Sequence, residues 1–141
     1  MRLHPATFGM VALALLTAPG CEPPRYEVGG RITYADGTPF SAPGFIVAEG
    51  ETASGPVMAR STIRPDGSFI LAGRNELEGM LAGRYRLRLI PPRGVGDGNI
   101  DDPTSPRLPF DRRFLEFETS GLSYEVGPSL KEIQIDLGPK P

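Results

Sequence analysis

The sequence has little of the chemistry on which most enzymes depend, because its 141 residues include one cysteine, one histidine and no tryptophan. Both of the single residues, His4 and Cys21, lie near the amino terminus. One cysteine cannot form an intramolecular disulfide, so the fold must be held together by its core. The rest of the sequence has no Ser–His or Cys–His pair and no zinc cage of the usual ligands. We therefore expect a protein that is not an enzyme and has no obligatory cofactor.

The amino-terminal residues have the pattern of a secretory signal. A short cationic start over 1–4 precedes an almost wholly apolar run over 6–16, and Gly20 then stands directly before Cys21. A cationic start, about ten apolar residues and a small residue at the cleavage point are typical of a signal peptide rather than a membrane span. The small residue before a single cysteine resembles the lipobox of bacterial lipoproteins, although Ala18 stands where leucine is usual. The resemblance implies lipid on Cys21; secretion with a free thiol is the alternative.

These observations divide the chain into three parts. We expect a signal peptide over 1–20, a lipidated cysteine with a short Pro-rich tether over 21–25, and one domain over 26–141. The formal net charge is −2, which is near neutral and does not indicate a nucleic-acid partner. The predicted location is the cell envelope, with the domain held to a membrane by the lipid and facing the periplasm or the cell surface.

Alternating polar and apolar residues predict β-structure through most of this domain. Asp36-Gly37 and Pro65-Asp66-Gly67 are strong turn signals, and the second predicts a hairpin between the strands on either side of it. A polar stretch over 49–55 separates two of the strands, and residues 91–113 form a long Gly/Pro-rich loop. We expect an all-β fold, a single seven- to eight-stranded immunoglobulin- or prealbumin-like sandwich. The predicted strands cover residues 28–34, 44–48, 57–63, 68–72, 84–90, 122–126 and 130–137.

The order of these strands and turns resembles that of carboxypeptidase regulatory-like domains. The motifs that carry the resemblance are a strand and turn over 28–39, Asp-Gly-x-Phe at 66–69 and Gly-x-Tyr at 83–85. The tail over 119–137 is similar to the end of small lipoproteins of this kind from planctomycete-type bacteria. The resemblance implies a transthyretin-like sandwich without catalytic residues, used as an accessory module for folding, adhesion or assembly. The loop over 91–113 departs from the family pattern.

The loop contains one candidate metal site, formed by Asp97, Asn99, Asp101 and Asp102. Calcium binds six to eight hard oxygen ligands, and Asp and Asn side chains at alternate positions can supply several of them. The full EF-hand pattern is not met, because Asp102 stands where glycine is needed and Leu108 stands at the twelfth position. The alternative interpretation is a solvated acidic loop tip. Calcium is therefore the only cofactor that the sequence brings into consideration.

Three arginines, Arg84, Arg86 and Arg88, share one face of a predicted strand. Arginine side chains suit phosphate and other oxyanions, so this face could bind an anionic glycan, a lipid phosphate or a protein partner. The alternative is a solvent-exposed face whose arginines pair across strands with Glu116, Glu118 or Glu132.

Two groups of aromatic residues could either pack in the core or bind a partner. Tyr85 shares its face with two leucines, which predicts a packed ring with its hydroxyl on a backbone group rather than an exposed glycan platform. Phe110, Phe114 and Phe117 could close the end of the core or form a partner-binding patch.

Taken together, the sequence predicts a non-catalytic, lipid-anchored module of the envelope that serves protein or surface interaction or assembly. Its expected partners are the membrane, through Cys21, and an envelope protein or surface glycan. The alternative function is a calcium- or carbohydrate-binding module that uses the loop at 97–102.

Overall fold

The computed structural model describes residues 20, 22–73, 78–95, 103–104, 106–130 and 132–141. Within these ranges the chain is almost entirely β-structure, with one short 3₁₀ helix at Arg112–Leu115. No helix in these ranges is long and apolar enough to span a membrane. The strands are β1 (Arg25–Tyr26), β2 (Val28–Thr33), β3 (Phe45–Thr52), β4 (Gly55–Thr62), β5 (Ser68–Leu71), β6 (Met80–Leu81), β7 (Gly83–Ile90), β8 (Ser123–Val126) and β9 (Glu132–Asp136).

The strands form several sheets. Strands β5-β2-β9 make a three-stranded sheet, and strands β4-β3-β7-β8 make a four-stranded sheet. The short strands β1 and β6 pair with each other where the chain enters the domain. All the pairings are antiparallel except that of β2 with β9, which is parallel. The predicted all-β class is therefore confirmed.

The core lies between the two larger sheets. Every second residue of β2 is buried, as are Tyr85, Leu87 and Leu89 of β7, because successive side chains of a strand point to opposite faces. Ile133 and Ile135 of β9 are also buried. These side chains, from both sheets, belong to one hydrophobic cluster. The sheets thus turn their apolar faces toward each other, which is consistent with a sandwich.

Contacts between the sheets tie their edges together on both sides. On one side, the Tyr124 hydroxyl of β8 donates a hydrogen bond to the carbonyl oxygen of Gln134 in β9, at 3.2 Å. On the other side, the Ser61 hydroxyl of β4 accepts from the backbone N–H of Ile70 in β5, at 3.3 Å. Exposed strand edges invite pairing with other chains, and these side-chain contacts occupy part of each edge.

A line of aromatic rings holds the end of the long loop and the 3₁₀ helix against the core. Ring centroids lie 6.0 Å apart for Tyr34 and Phe40, 5.9 Å for Phe40 and Phe110, and 6.4 Å for Phe110 and Phe114. Phe114 belongs to the 3₁₀ helix, and both it and Phe110 are buried. Of the two interpretations of this cluster, closure of the core is therefore the right one for these two residues.

Tyr85 is packed as its position on the strand predicts. The side chain is buried, and its hydroxyl donates to the carbonyl oxygen of Leu81, four residues earlier, at 2.9 Å. The ring is therefore not an exposed platform for a glycan.

Candidate functional site

The predicted arginine face is the outer face of the four-stranded sheet. In the register of that sheet, Glu49 of β3 stands between Met58 of β4 and Arg86 of β7. Two residues farther along β3, on the same face, Glu51 stands between Pro56 of β4 and Arg84 of β7. We call the set Glu49, Glu51, Met58, Arg84 and Arg86 the charged face.

Arg86 is engaged by two carboxylates. Its Nη2 donates to Oε1 of Glu49, and its Nη1 lies 3.7 Å from Oε1 of Glu118. The side chains are between about a third and two thirds exposed, so solvent screens both pairs. Pairs of this kind contribute at most about 1 kcal/mol to stability. They do, however, fix where positive and negative charge lie on the surface.

Arg84 stands between acidic residues. Its register partners are Glu51 in β3 and Glu125 in β8. Its side chain is exposed. Because a carboxylate flanks it on each side, this part of the face carries mixed charge rather than a positive patch.

Arg88 is in a different environment from the other two arginines. Its Nη1 donates to the carbonyl oxygen of Leu115 at 3.2 Å, and its guanidinium carbon lies 5.1 Å from the centroid of the Phe117 ring. The Nε atom is buried and has no hydrogen-bond partner within the described part of the chain. Arg88 therefore attaches the 3₁₀ segment to the sheet rather than presenting its charge to a ligand.

The three predicted arginines thus lie on one face, as the strand period requires, but they do not act as one anion site. The geometry favours the cross-strand alternative, with Glu118 as one of the carboxylates that the sequence suggests. The sequence does not predict the main partner, Glu49, because residues 49–55 have the pattern of a polar connection. The signal that could have found it is the shared outward parity of Glu49 and Glu51.

The charged face contains a shallow depression of about 660 Å³. Met58 lines it and is 63% exposed, the most exposed large apolar side chain among the described residues. Glu49, Glu51, Arg84 and Arg86 line the same depression. An apolar side chain on the edge strand β4 is therefore presented to solvent at the end of the row that contains Glu49 and Arg86.

The other predicted site residues cannot be placed in this geometry. Cys21, Asp97, Asn99, Asp101 and Asp102 lie outside the described residues. Among those that are described, no three His, Cys, Asp or Glu side chains form a group suited to a metal ion.

No family model, no curated protein and no solved structure matches this chain.

Proposed function

We propose that this chain is a non-catalytic, lipid-anchored module of the cell envelope, and that its charged face binds a protein partner. The observation that carries the proposal is the exposed Met58 in a depression that two glutamates of β3 and two arginines of β7 also line.

The anchor is the lipid that the amino-terminal pattern implies for Cys21. One acyl chain gives only marginal membrane binding, whereas two or more on the same residue hold a protein stably. Residues 22–24 form a short Pro-containing spacer, and β1 begins immediately after it at Arg25. The domain is thereby held close to the membrane, facing the periplasm or the cell surface.

The partner-binding role is supported by the composition of the charged face. Methionine and arginine are enriched at protein interfaces relative to the rest of the surface, and such interfaces have an apolar core with a polar rim. The two rows, Glu49 with Arg86 and Glu51 with Arg84, place negative charge on β3 and positive charge on β7. A partner with the opposite pattern would be steered into one orientation, since complementary charges fix register and speed association.

The non-catalytic role is proposed from the residue inventory of the domain. After Cys21 the sequence has neither histidine nor a further cysteine, so the usual nucleophile and base pairs are lacking.

The experiment is site-specific photocrosslinking in the native host, with the photoreactive residue at position 58 or, as a matched control, at position 70. Among the residues that the structure describes, Ile70 is the other exposed large apolar side chain, and it belongs to the three-stranded sheet. We expect one defined protein adduct from position 58 and none from position 70.

A charge swap tests the orientation of that partner. The double variant Glu49→Arg with Arg86→Glu keeps the pair within the domain but reverses the pattern that a partner meets. We expect it to abolish the adduct at position 58. Equal adducts from both positions, or an adduct that the swap leaves unchanged, would contradict the proposed face.

The alternative function is a calcium- or carbohydrate-binding module that uses residues 97–102. A ligand that binds only the folded state raises the melting temperature. A calcium-dependent increase in Tm that Asp97→Asn with Asp101→Asn removes would favour this alternative over the protein-binding module.

We also propose that the sheets form the immunoglobulin- or prealbumin-like sandwich of carboxypeptidase regulatory-like domains. The division of the longer strands into sheets of three and four supports this type. An experimental structure in which the 91–113 segment adds strands to either sheet would contradict it.

A further inference from the structure

The edge strands β4 and β5 lie in different sheets and meet along a seam that contains a depression of about 430 Å³. Arg60, Thr62 and Arg64 line this depression. They occupy alternate positions of β4 and of the residues directly after it, so their side chains point to the same face of the strand. Among the residues that the structure describes, no carboxylate lines this depression. It therefore differs from the charged face, where each arginine on the surface meets an acidic residue.

Arg60 is held in place by an aromatic ring. Its guanidinium carbon lies 3.7 Å from the centroid of the Phe45 ring, so the two groups are stacked. A stacked guanidinium keeps its N–H donors in its own plane, where they can bind two oxygens of one anion. Because the side chain is already ordered, binding costs less conformational entropy. No ion pair to Arg60 is formed by any described residue.

Arg64 and Thr62 supply the remaining donors. Both are exposed, and within the described chain neither the Arg64 guanidinium nor the Thr62 hydroxyl has a hydrogen-bond partner. The Cα atoms of residues 60 and 64 are about 13 Å apart in an extended chain, so two arginine side chains can converge on one anion above Thr62. The nearest acidic residue in sequence, Asp66, already accepts hydrogen bonds from the backbone N–H and the hydroxyl of Ser68.

We infer that Arg60, Arg64 and Thr62 form a binding site for a phosphate-type oxyanion. In a lipid-anchored chain, the source of that oxyanion is the headgroup of a neighbouring phospholipid; this source rests on the proposed function.

The position of the seam relative to the tether supports the headgroup as the source. Ala72 lines the depression, and a Cβ atom on the next residue, Gly73, would lie 3.5 Å from Nη1 of Arg25. Arg25 follows Cys21 by four positions, a distance of at most roughly 14 Å in extended chain. A lipid on Cys21 would thus keep headgroups near the seam at high effective concentration, so that a weak site suffices. Positive charge near an anionic bilayer is attracted over about one Debye length.

The experiment uses the predicted mature chain, residues 21–141, carrying Cys21→Ser, so that vesicle binding depends neither on the lipid nor on the apolar run over 6–16. Cosedimentation is measured with phosphatidylglycerol-containing vesicles and with phosphatidylcholine vesicles, and inorganic phosphate is titrated by NMR. We expect Arg60→Gln with Arg64→Gln to weaken binding to the anionic vesicles by roughly 10- to 30-fold. Arg64→Gln alone tests the site without disturbing the stacked Arg60.

The matched control is Arg93→Gln with Arg107→Gln, which removes the same charge from two exposed arginines outside the depression. Loss of both vesicle and phosphate binding in the seam variants, with the control close to wild type, would support the inference. Phosphate binding without vesicle binding would keep the oxyanion site and overturn the headgroup as its source. No binding of either probe, or equal loss in the control, would overturn the site itself. The anchor is tested separately by mass.

Discussion

The ring of Tyr85 occupies the space that a side chain at Gly50 would need. A Cβ atom at Gly50 would lie 2.5 Å from Cδ1 of Tyr85 and 2.7 Å from the carbonyl oxygen of Arg84. Gly50 and Tyr85 are register partners in β3 and β7. Glycine weakens the interior of a strand, but here it makes room for an aromatic ring whose hydroxyl is bonded to Leu81. The contact fixes β7, and with it the arginines of the charged face.

Gly50→Ala should therefore destabilise the domain. Because both close neighbours are a packed ring and a backbone oxygen, we expect a loss of about 1–3 kcal/mol in the free energy of unfolding. Urea denaturation measures it. The matched control is Gly127→Ala, since a Cβ atom there meets nothing within 4 Å; its expected effect is within about 0.5 kcal/mol. Equal effects of the two substitutions would contradict the close contact.

Phe114→Ala tests whether the segment after the long loop belongs to the core. Phe114 is 1% exposed, and truncation of a buried phenylalanine costs about 3–5 kcal/mol. Chemical denaturation would measure the loss. The comparison is Phe117→Ala, a half-buried ring that contacts Arg88, for which we expect a smaller loss. A mild effect of Phe114→Ala would mean that the segment does not close the core.

The pair of Arg86 with Glu49 should contribute little to stability. A double-mutant cycle with Arg86→Ala and Glu49→Ala should give a coupling energy of about 0.2–1 kcal/mol, because both side chains are partly exposed to solvent. The coupling should fall in high salt. A coupling well above this range that salt leaves unchanged would show that the pair serves stability rather than surface recognition.

Two turn aspartates should make the fold sensitive to acid. A hydrogen bond from the Thr38 backbone N–H lowers the pKa of Asp36, and one from the Ser68 hydroxyl lowers the pKa of Asp66. A carboxyl group with a lowered pKa in the folded state adds stability above its unfolded pKa, about 3.9 for Asp. That stability is lost as the pH falls through the folded pKa.

Asp36→Asn with Asp66→Asn keeps an acceptor oxygen in each turn but removes the titration. We expect the double variant to lose less stability than the wild type between pH 5 and pH 2, in urea unfolding at a series of pH values. A decline as steep as that of the wild type would assign the acid sensitivity to other groups.

The sequence predicts most strands of the domain because polar and apolar residues alternate along a strand that buries only one of its faces. Val28–Thr33 and Gly83–Ile90 are strands whose buried residues have the predicted parity. The interpretation of 49–55 as a polar connection is wrong, because β3 continues to Thr52 and β4 begins at Gly55. The outer residues Glu49 and Glu51 belong to a charged sheet face, and a strand with such a face resembles a loop in the sequence.

The turn at Pro65-Asp66-Gly67 shows a second limit of local patterns. The turn forms, with the N–H of Gly67 bonded to the carbonyl of Arg64. The predicted hairpin forms only in part: the N–H of Arg64 donates to the carbonyl oxygen of Ser68 and Arg60 makes an isolated antiparallel bridge with Ala72. The full ladders are instead those of β4 with β3 and of β5 with β2, in different sheets. A turn signal gives a local reversal, whereas the choice of partner strand depends on burial against distant parts of the chain.

The candidate sites were predictable only in part for the same reason. The strand period places the three arginines on one face, but it does not give the register that brings Glu49 to Arg86 or Leu115 to Arg88. The stacking of Arg60 on Phe45 likewise joins residues from two strands. Such pairs follow from sheet topology, which the sequence pattern alone leaves open.

The most direct test of the proposed anchor is the intact mass of the protein extracted from host membranes, beside a Cys21→Ser variant. The account predicts the mass of residues 21–141 plus diacylglyceryl and acyl groups for the wild type, and no lipidated species for the variant. A wild-type mature chain without lipid would contradict the anchor and leave Cys21 as a free or intermolecular thiol.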